Sequence, residues 1–203
     1  MKNEPFLHLL ITCDEKWLLY NNTKRSTQWL DIGESPKHFP KPNKHEKKLM
    51  VTVWWCLKGV IHYSFLENGE MITAERYCLQ IDVMHQKLKA MYPALINRKG
   101  PIILHDNARP HTAKQTQDKL MYLNYEILPH PPYSPDLSPT DFHFFKHLQN
   151  SLNGKTFRNE EVLKTEFERF IASRSLDFYV TGIEKLPNRW QMCLDANGFY
   201  FNK

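Results

Sequence analysis

Two neighbouring apolar runs, residues 49–57 and 60–66, constrain the fold of this chain most strongly. Both runs are rich in β-branched and aromatic residues, and only Lys58 and Gly59 separate them. Such residues favour strands, and a two-residue connection that ends in glycine is typical of a tight β-hairpin. We therefore expect a sheet at the centre of the fold.

The remaining strands are predicted from shorter apolar runs. Residues 6–13 predict a buried strand, and residues 17–20 predict a second strand after a polar turn at 14–16. Residues 101–105 and 125–128 predict two more. These runs are separated by helical patterns, so the sequence predicts a mixed α/β fold with a sheet core and flanking helices.

The helices are predicted from apolar residues at helical spacing. Thr73 is a candidate N-cap for the longest of them. Its apolar stripe consists of Tyr77, Ile81, Met84, Leu88 and Met91. Further helices are predicted over 111–123, 142–152 and 160–174, with a proline-rich connector over 129–139 and a packed tail from residue 183 to 201.

Length and composition fit one large domain or two small ones. The chain has 203 residues, of which 41% are apolar, enough for a packed core. The four cysteines have no CxxC spacing, which favours free thiols in a reducing compartment. Because the chain has neither a signal-peptide cleavage site nor an apolar run of about 18 residues, we expect a soluble, intracellular protein without a membrane span.

The net charge of +5 is unevenly distributed along the chain. Residues 24–48 contain seven Lys or Arg against three Asp or Glu, a local charge of +4, together with three prolines that disfavour regular structure. A polyanion is therefore a candidate partner for this segment. A solvated loop explains the same pattern.

Three aspartates, Asp14, Asp106 and Asp141, stand where short apolar segments end, and 34 residues lie between the last two. Aspartates at the ends of neighbouring strands can hold Mg²⁺, which takes oxygen ligands and needs few of them from the protein. Two such ions can drive phosphodiester cleavage. Each aspartate also has a structural explanation: Asp14 and Asp106 suit turns, and Asp141 suits the third position of a helix capped by Ser138.

The residues that flank the aspartates resemble the catalytic blocks of mariner-type transposases, in the Tc1/mariner superfamily. The matching blocks are residues 12–17 (TCDEKW), 105–111 (HDNARPH) and 133–143 (YSPDLSPTDFH). The likeness extends to 41–43, 53–55, 189–191 and 197–198, and so covers nearly the whole chain. It implies an RNase H-like α/β fold with a central mixed sheet flanked by helices. Asp14 is expected on the first strand, Asp106 after the fourth and Asp141 on a later helix, as a catalytic triad that binds Mg²⁺ or Mn²⁺.

The resemblance also implies DNA as the partner, with contacts to the phosphate backbone and, in full-length family members, to terminal repeat ends. Residues 24–48 match the family's clamp loop, which implies a homodimer, and a nuclear location follows from the family. No room precedes Asp14 for the family's helix-turn-helix modules, so residues 1–203 are expected to form a single catalytic domain without sequence-specific end binding. The candidate DNA-contacting residues are Lys24, Arg25, Lys41, Lys44, Lys47, Lys48, Asn107, Arg109 and His111.

Two functions therefore remain open at the level of sequence. The first is a metal-dependent DNA endonuclease and strand transferase that uses the three aspartates. The second is a truncated or domesticated domain that binds DNA and dimerises without catalysis, in a repair or regulatory context. The three aspartates favour the first function, and the missing recognition modules favour the second.

Overall fold

A five-stranded mixed sheet forms the centre of the protein. A computed structural model describes residues 6–23, 30–35, 46–67, 69–97 and 100–198. Its strands are β1 (Leu10–Leu19), β2 (Lys48–Cys56), β3 (Gly59–Leu66), β4 (Ile102–Leu104) and β5 (Glu126–Ile127). Their order across the sheet is β3-β2-β1-β4-β5. The pairs β1/β2 and β2/β3 are antiparallel, whereas β1/β4 and β4/β5 are parallel.

The predicted hairpin is confirmed as β2 and β3. Gly59 has a φ of 127°, a left-handed backbone conformation that glycine adopts without steric cost. The pairing shifts register between Trp54 and Trp55, which marks a bulge in the ladder.

The predicted polar turn at residues 14–16 is wrong, because β1 continues through it as one strand of ten residues. Each of its polar residues pairs across the sheet, with Asp14 opposite Val53 and Lys16 opposite Val51. Pairing with β2 thus keeps residues 14–16 in a strand, although their local sequence is compatible with a turn. The first part of the predicted strand also differs, since Phe6–Leu9 forms a 3-10 helix.

Helices cover both faces of this sheet. In chain order they are α1 (Ala74–Met91), α2 (Pro93–Asn97), α3 (Arg109–Thr112), α4 (Lys114–Tyr122), α5 (Lys146–Leu152), α6 (Glu160–Ala172), α7 (Leu176–Glu184) and α8 (Leu186–Asp195). Short 3-10 and π-helical turns, at Pro135–Leu137 and Thr140–Phe145, precede α5. None of the described helices is long and apolar enough to span a lipid bilayer.

Two consecutive tryptophans on β2 anchor the two helical layers. Successive side chains of a strand point to opposite faces, and both Trp54 and Trp55 are fully buried. The Trp54 ring stacks on Tyr77 of α1 at 5.1 Å. The Trp55 ring contacts Phe144 of the π-helical turn and Tyr179 of α7, both at 5.8 Å. The sheet therefore lies between α1 on one side and the π-helical turn with α7 on the other.

The predicted helices are present with changed boundaries. Thr73 caps α1 by accepting a hydrogen bond from the Arg76 amide, as expected, but Met91 at the end of the predicted stripe is exposed. The helix predicted over 111–123 is two helices, α3 and α4, because Ala113 adopts an extended conformation with a ψ of 140°. The four cysteines are free, and Cys13 and Cys56 are buried.

Candidate active site

The sheet brings Asp14 and Asp106 to the same end of two adjacent parallel strands. The last pair between β1 and β4 is Thr12 with Leu104. Asp14 and Asp106 each lie two residues beyond that pair, so the two residues leave the parallel ladder at the same level. Parallel strands present their carboxyl ends at one edge, which is where ligands bind in open α/β sheets.

Asp141 lies beside Asp14 and is carried by the π-helical turn. Its carboxyl group lies next to the carboxyl group of Asp14, close enough for each to shift the pKa of the other. The Asp141 amide donates to the Ser138 hydroxyl at 3.3 Å. The predicted capping role of Ser138 is therefore present in the structure, together with the contact between the two aspartates.

Burial raises the pKa of both carboxyls in this pair. The negative charge of Asp141 raises the pKa of Asp14 further, to well above its ordinary value. Two neighbouring carboxyls resist being ionised together, because each negative charge repels the other. A bound cation would relieve the repulsion between the negative charges of Asp14 and Asp141.

In contrast to Asp14 and Asp141, Asp106 has a pKa below its ordinary value. Burial alone would raise its pKa, but hydrogen bonds from the His111 ring and the Ala108 amide lower it. His111 Nδ1 lies 2.6 Å from Asp106 Oδ1, and Ala108 N lies 2.9 Å from the same oxygen. Burial alone would lower the pKa of His111, but its hydrogen bonds to Asp106 and Glu15 raise that pKa to about 10. Asp106 is therefore an ionised carboxylate paired with an imidazolium.

A chain of buried hydroxyl contacts fixes Asp141 relative to β1. Thr140 Oγ1 accepts a hydrogen bond from Trp55 Nε1 at 3.1 Å and lies 3.0 Å from Thr12 Oγ1. Thr12 and Asp14 lie on the same face of β1, because they are two residues apart. Consecutive residues of the π-helical turn thus contact alternate residues of the strand. This network was not predicted from the sequence, although the two-residue spacing of Thr12 and Asp14 is typical of residues on one face of a strand.

Asp106 and Asp141 line one cavity of about 650 Å³. Other residues along its wall include Asn107, Arg109 and Tyr133. The Tyr133 side chain is 94% exposed, and its backbone is left-handed with a φ of 55°, a conformation that is uncommon for an aromatic residue. The cavity therefore joins two aspartates, a guanidinium group and an exposed ring.

The donor atoms fit a hard divalent cation. Within the part of the chain that the structure describes, no group of three or more His, Cys, Asp or Glu side chains is close enough to hold one ion. Asp14 instead lies beside Asp141, and Asp141 and Asp106 line the same cavity. Mg²⁺ keeps several waters and needs only one or two carboxylates for each ion, so an open arrangement of carboxylate oxygens suits it.

The structure describes only some of the candidate DNA-contacting residues. Lys24, Arg25, Lys41 and Lys44 lie outside the described residues, as does most of the segment 24–48. Lys47 and Lys48 are exposed near the start of β2, and Lys48 Nζ lies 4.3 Å from the centroid of the Trp17 ring.

The three candidates beside Asp106 differ in their exposure and in their contacts. Arg109 is exposed at the cavity, as a phosphate contact requires. The Asn107 side chain is exposed but donates to the His130 carbonyl at 2.6 Å. For His111 the prediction of a phosphate contact does not fit the geometry, because its side chain is completely buried and both ring nitrogens face carboxylates.

The sheet order, with one aspartate on β1, one after β4 and one on a later helical turn, defines an RNase H-like domain of the DDE transposase class. Residues 19–98 match the family model described as Transposase (partial DDE domain). The crystal structure of the catalytic domain of Mos1 mariner transposase matches with a TM-score of 0.82 and 37% identity, over 99% of this chain and 88% of that one. The chain therefore belongs to the mariner transposase family.

Two curated relatives place the chain more closely. Histone-lysine N-methyltransferase SETMAR of Homo sapiens is 60% identical over 200 residues, which are 98% of this chain and 29% of that protein. Mariner Mos1 transposase of Drosophila mauritiana is 38% identical over 200 residues, 98% of this chain and 58% of that protein. The chain thus spans less than two thirds of the length of either relative.

Proposed function

We propose that this chain cleaves DNA strands and joins them to new sites with the help of Mg²⁺ or Mn²⁺, as a cut-and-paste transposase does. The observation that carries the proposal is the pair of neighbouring, half-buried carboxyls of Asp14 and Asp141, together with the ionised carboxylate of Asp106. Burying mutually repelling carboxyls is unfavourable unless a cation compensates them. Solved complexes of Mos1 mariner paired ends are described with Mn and with Mg, which supports the choice of ion.

Three aspartates would hold the ions in this proposal. Asp14 and Asp141 would each offer a carboxylate oxygen to a cation, and Asp106 would contribute a carboxylate that is already ionised. Bound divalent ions would supply an activated water or 3′-hydroxyl as nucleophile and stabilise the leaving oxygen. Arg109, exposed at the cavity, would bind and orient the phosphate group.

The proposed partner is DNA, bound mainly through its phosphates. Solved Mos1 structures include a paired-end complex with the left transposon end, which supports this partner. The basic segment 24–48 would contribute to phosphate binding and to a homodimer in the nucleus. Binding through phosphates predicts an affinity that falls steeply as salt increases. Light scattering of the full chain with and without DNA measures whether it dimerises.

Nicking of supercoiled plasmid by the full chain in Mn²⁺ tests the catalytic proposal. We expect the wild type to nick the plasmid and Asp106→Asn to leave it intact, because that substitution removes the ionised ligand. Asp82→Asn is the matched control: Asp82 lies on α1, away from the three aspartates, and pairs with Lys119, so this variant should nick normally. Salt-dependent DNA binding without any Mn²⁺-dependent nicking by the wild type contradicts the proposal.

A further inference from the structure

We propose that His111, supported by Glu15, is a positioning residue that orients the Asp106 carboxylate for metal binding. This inference rests on the proposed function, because it assigns a purpose to groups behind one of its metal ligands. It adds two residues that do not touch DNA or metal themselves.

The protein commits one oxygen of the Asp106 carboxylate to its own hydrogen-bond donors. Both the His111 ring and the Ala108 amide bond to Oδ1, at 2.6 Å and 2.9 Å. Two donors on one oxygen fix the rotation of the carboxylate and leave Oδ2 for a cation. The Asp106 side chain is 44% exposed, whereas the His111 side chain is completely buried. The donor is therefore on the protein side of the carboxylate and its ligand side is open.

The His111 ring is itself held in place by its neighbours. It lies parallel to the His105 ring, with an interplanar angle of 6° and a centroid distance of 4.9 Å. The Tyr77 ring of α1 contacts it at 4.2 Å. The Tyr77 hydroxyl in turn lies 2.7 Å from His105 Nδ1 and 3.1 Å from Cys13 Sγ. A ring packed and bonded in this way delivers its hydrogen bond from a fixed direction.

Glu15 connects His111 to the strand that carries Asp14. His111 Nε2 lies 3.4 Å from Glu15 Oε1, and Glu15 is the residue after Asp14 on β1. The series Asp14, Glu15, His111, Asp106 therefore links two of the aspartates through one covalent neighbour and two polar contacts. It ties the start of α3 to β1 and so fixes the spacing between the two ligands. Partners behind a metal ligand of this kind tune affinity for the metal.

Calorimetric titration of the full chain with Mn²⁺, without DNA, tests the positioning role separately from cleavage. His111→Phe keeps a ring against Tyr77 and His105 but has no donor, and we expect about 10- to 100-fold weaker Mn²⁺ binding. His111→Gln keeps a donor and should lose less affinity. His62→Phe is the control, because His62 is also buried but lies on β3 and bonds to Lys87. This control should bind Mn²⁺ like the wild type.

The possible results distinguish this inference from the proposed function. A folded His111→Phe variant with wild-type Mn²⁺ affinity overturns the positioning role and leaves the proposed function standing. A wild-type chain that binds no Mn²⁺ overturns both. If circular dichroism shows that His111→Phe does not fold, Glu15→Gln decides, since it leaves the Asp106 hydrogen bond in place and weakens its support. We then expect a several-fold loss of Mn²⁺ affinity, and an unchanged affinity overturns the inference.

Discussion

Replacing Thr140 by valine tests whether the buried hydroxyl network holds the π-helical turn against the sheet. Valine has nearly the same shape as threonine, so the packing is retained and only the hydroxyl is lost. Trp55 Nε1 then loses its acceptor, and the Thr12 hydroxyl loses its partner. Threonines 12 and 140 and Trp55 are all fully buried, so water cannot replace the missing partner.

The expected cost follows from these two orphaned groups. An unsatisfied buried donor or acceptor costs about 1–3 kcal/mol, so Thr140→Val should lower the free energy of unfolding by roughly 2–6 kcal/mol. That loss is a large part of the roughly 5–15 kcal/mol typical of a folded domain. Thr140→Ser keeps the hydroxyl and loses one methyl group, so it should cost only about 1 kcal/mol.

Equilibrium unfolding in urea, followed by tryptophan fluorescence, measures these differences. Adding Thr12→Val to the Thr140→Val background removes a hydroxyl that is already orphaned. The second substitution should therefore cost much less there than in the wild type, and the cycle should be clearly non-additive. A loss below about 1 kcal/mol for Thr140→Val, or strict additivity with Thr12→Val, refutes the reasoning.

Three further predictions concern packing, charge and pH. Gly182→Ala would place a Cβ 2.5 Å from His143 Cδ2 and 2.8 Å from Trp55 Cη2, so its urea midpoint should correspond to a loss of about 1–3 kcal/mol. Asp141→Asn removes one of two neighbouring, half-buried carboxyls, so scanning fluorimetry should give a higher melting temperature without metal and a smaller increase on adding Mn²⁺. Burial and the Lys87 charge lower the pKa of His62 to about 4, so the unfolded state binds more protons between pH 6.5 and 4. Stability should therefore fall as pH falls through that window, and His62→Gln should reduce the fall in melting temperature.

Elements with strong local signals were predictable from the sequence. The hairpin of β2 and β3 combines two strand-forming runs with a glycine turn, and Thr73 begins a helix with a clear apolar stripe. These features need no information from distant parts of the chain. The position of Asp106 close to the end of a short buried strand was predictable for the same reason.

Other features depend on partners far along the chain and were not predictable. Residues 14–16 form a strand because β2 pairs with them, although their polarity is typical of a turn. The break at Ala113 separates two helices where the apolar pattern indicates one. His111 was predicted as a phosphate contact because it follows Asp106 closely, but its role depends on Glu15, which is 96 residues away. Contacts of this range leave no periodic signal.

The π-helical turn has a consequence for how this helix tolerates changes in length. Lys146 N donates to Asp141 O, five residues back, so the turn contains one residue more than an α-helix would use. Asp141, near the start of the turn, faces Asp14 on β1. Leu148 and Leu152, beyond the turn, face the core. The extra residue sets the rotation around the helix axis so that both ends face their partners. Deleting one residue from the turn would restore an ordinary α-helix and rotate one end by about 100° relative to the other. The protein would then keep either its core contacts or its aspartate pair, and lose the other.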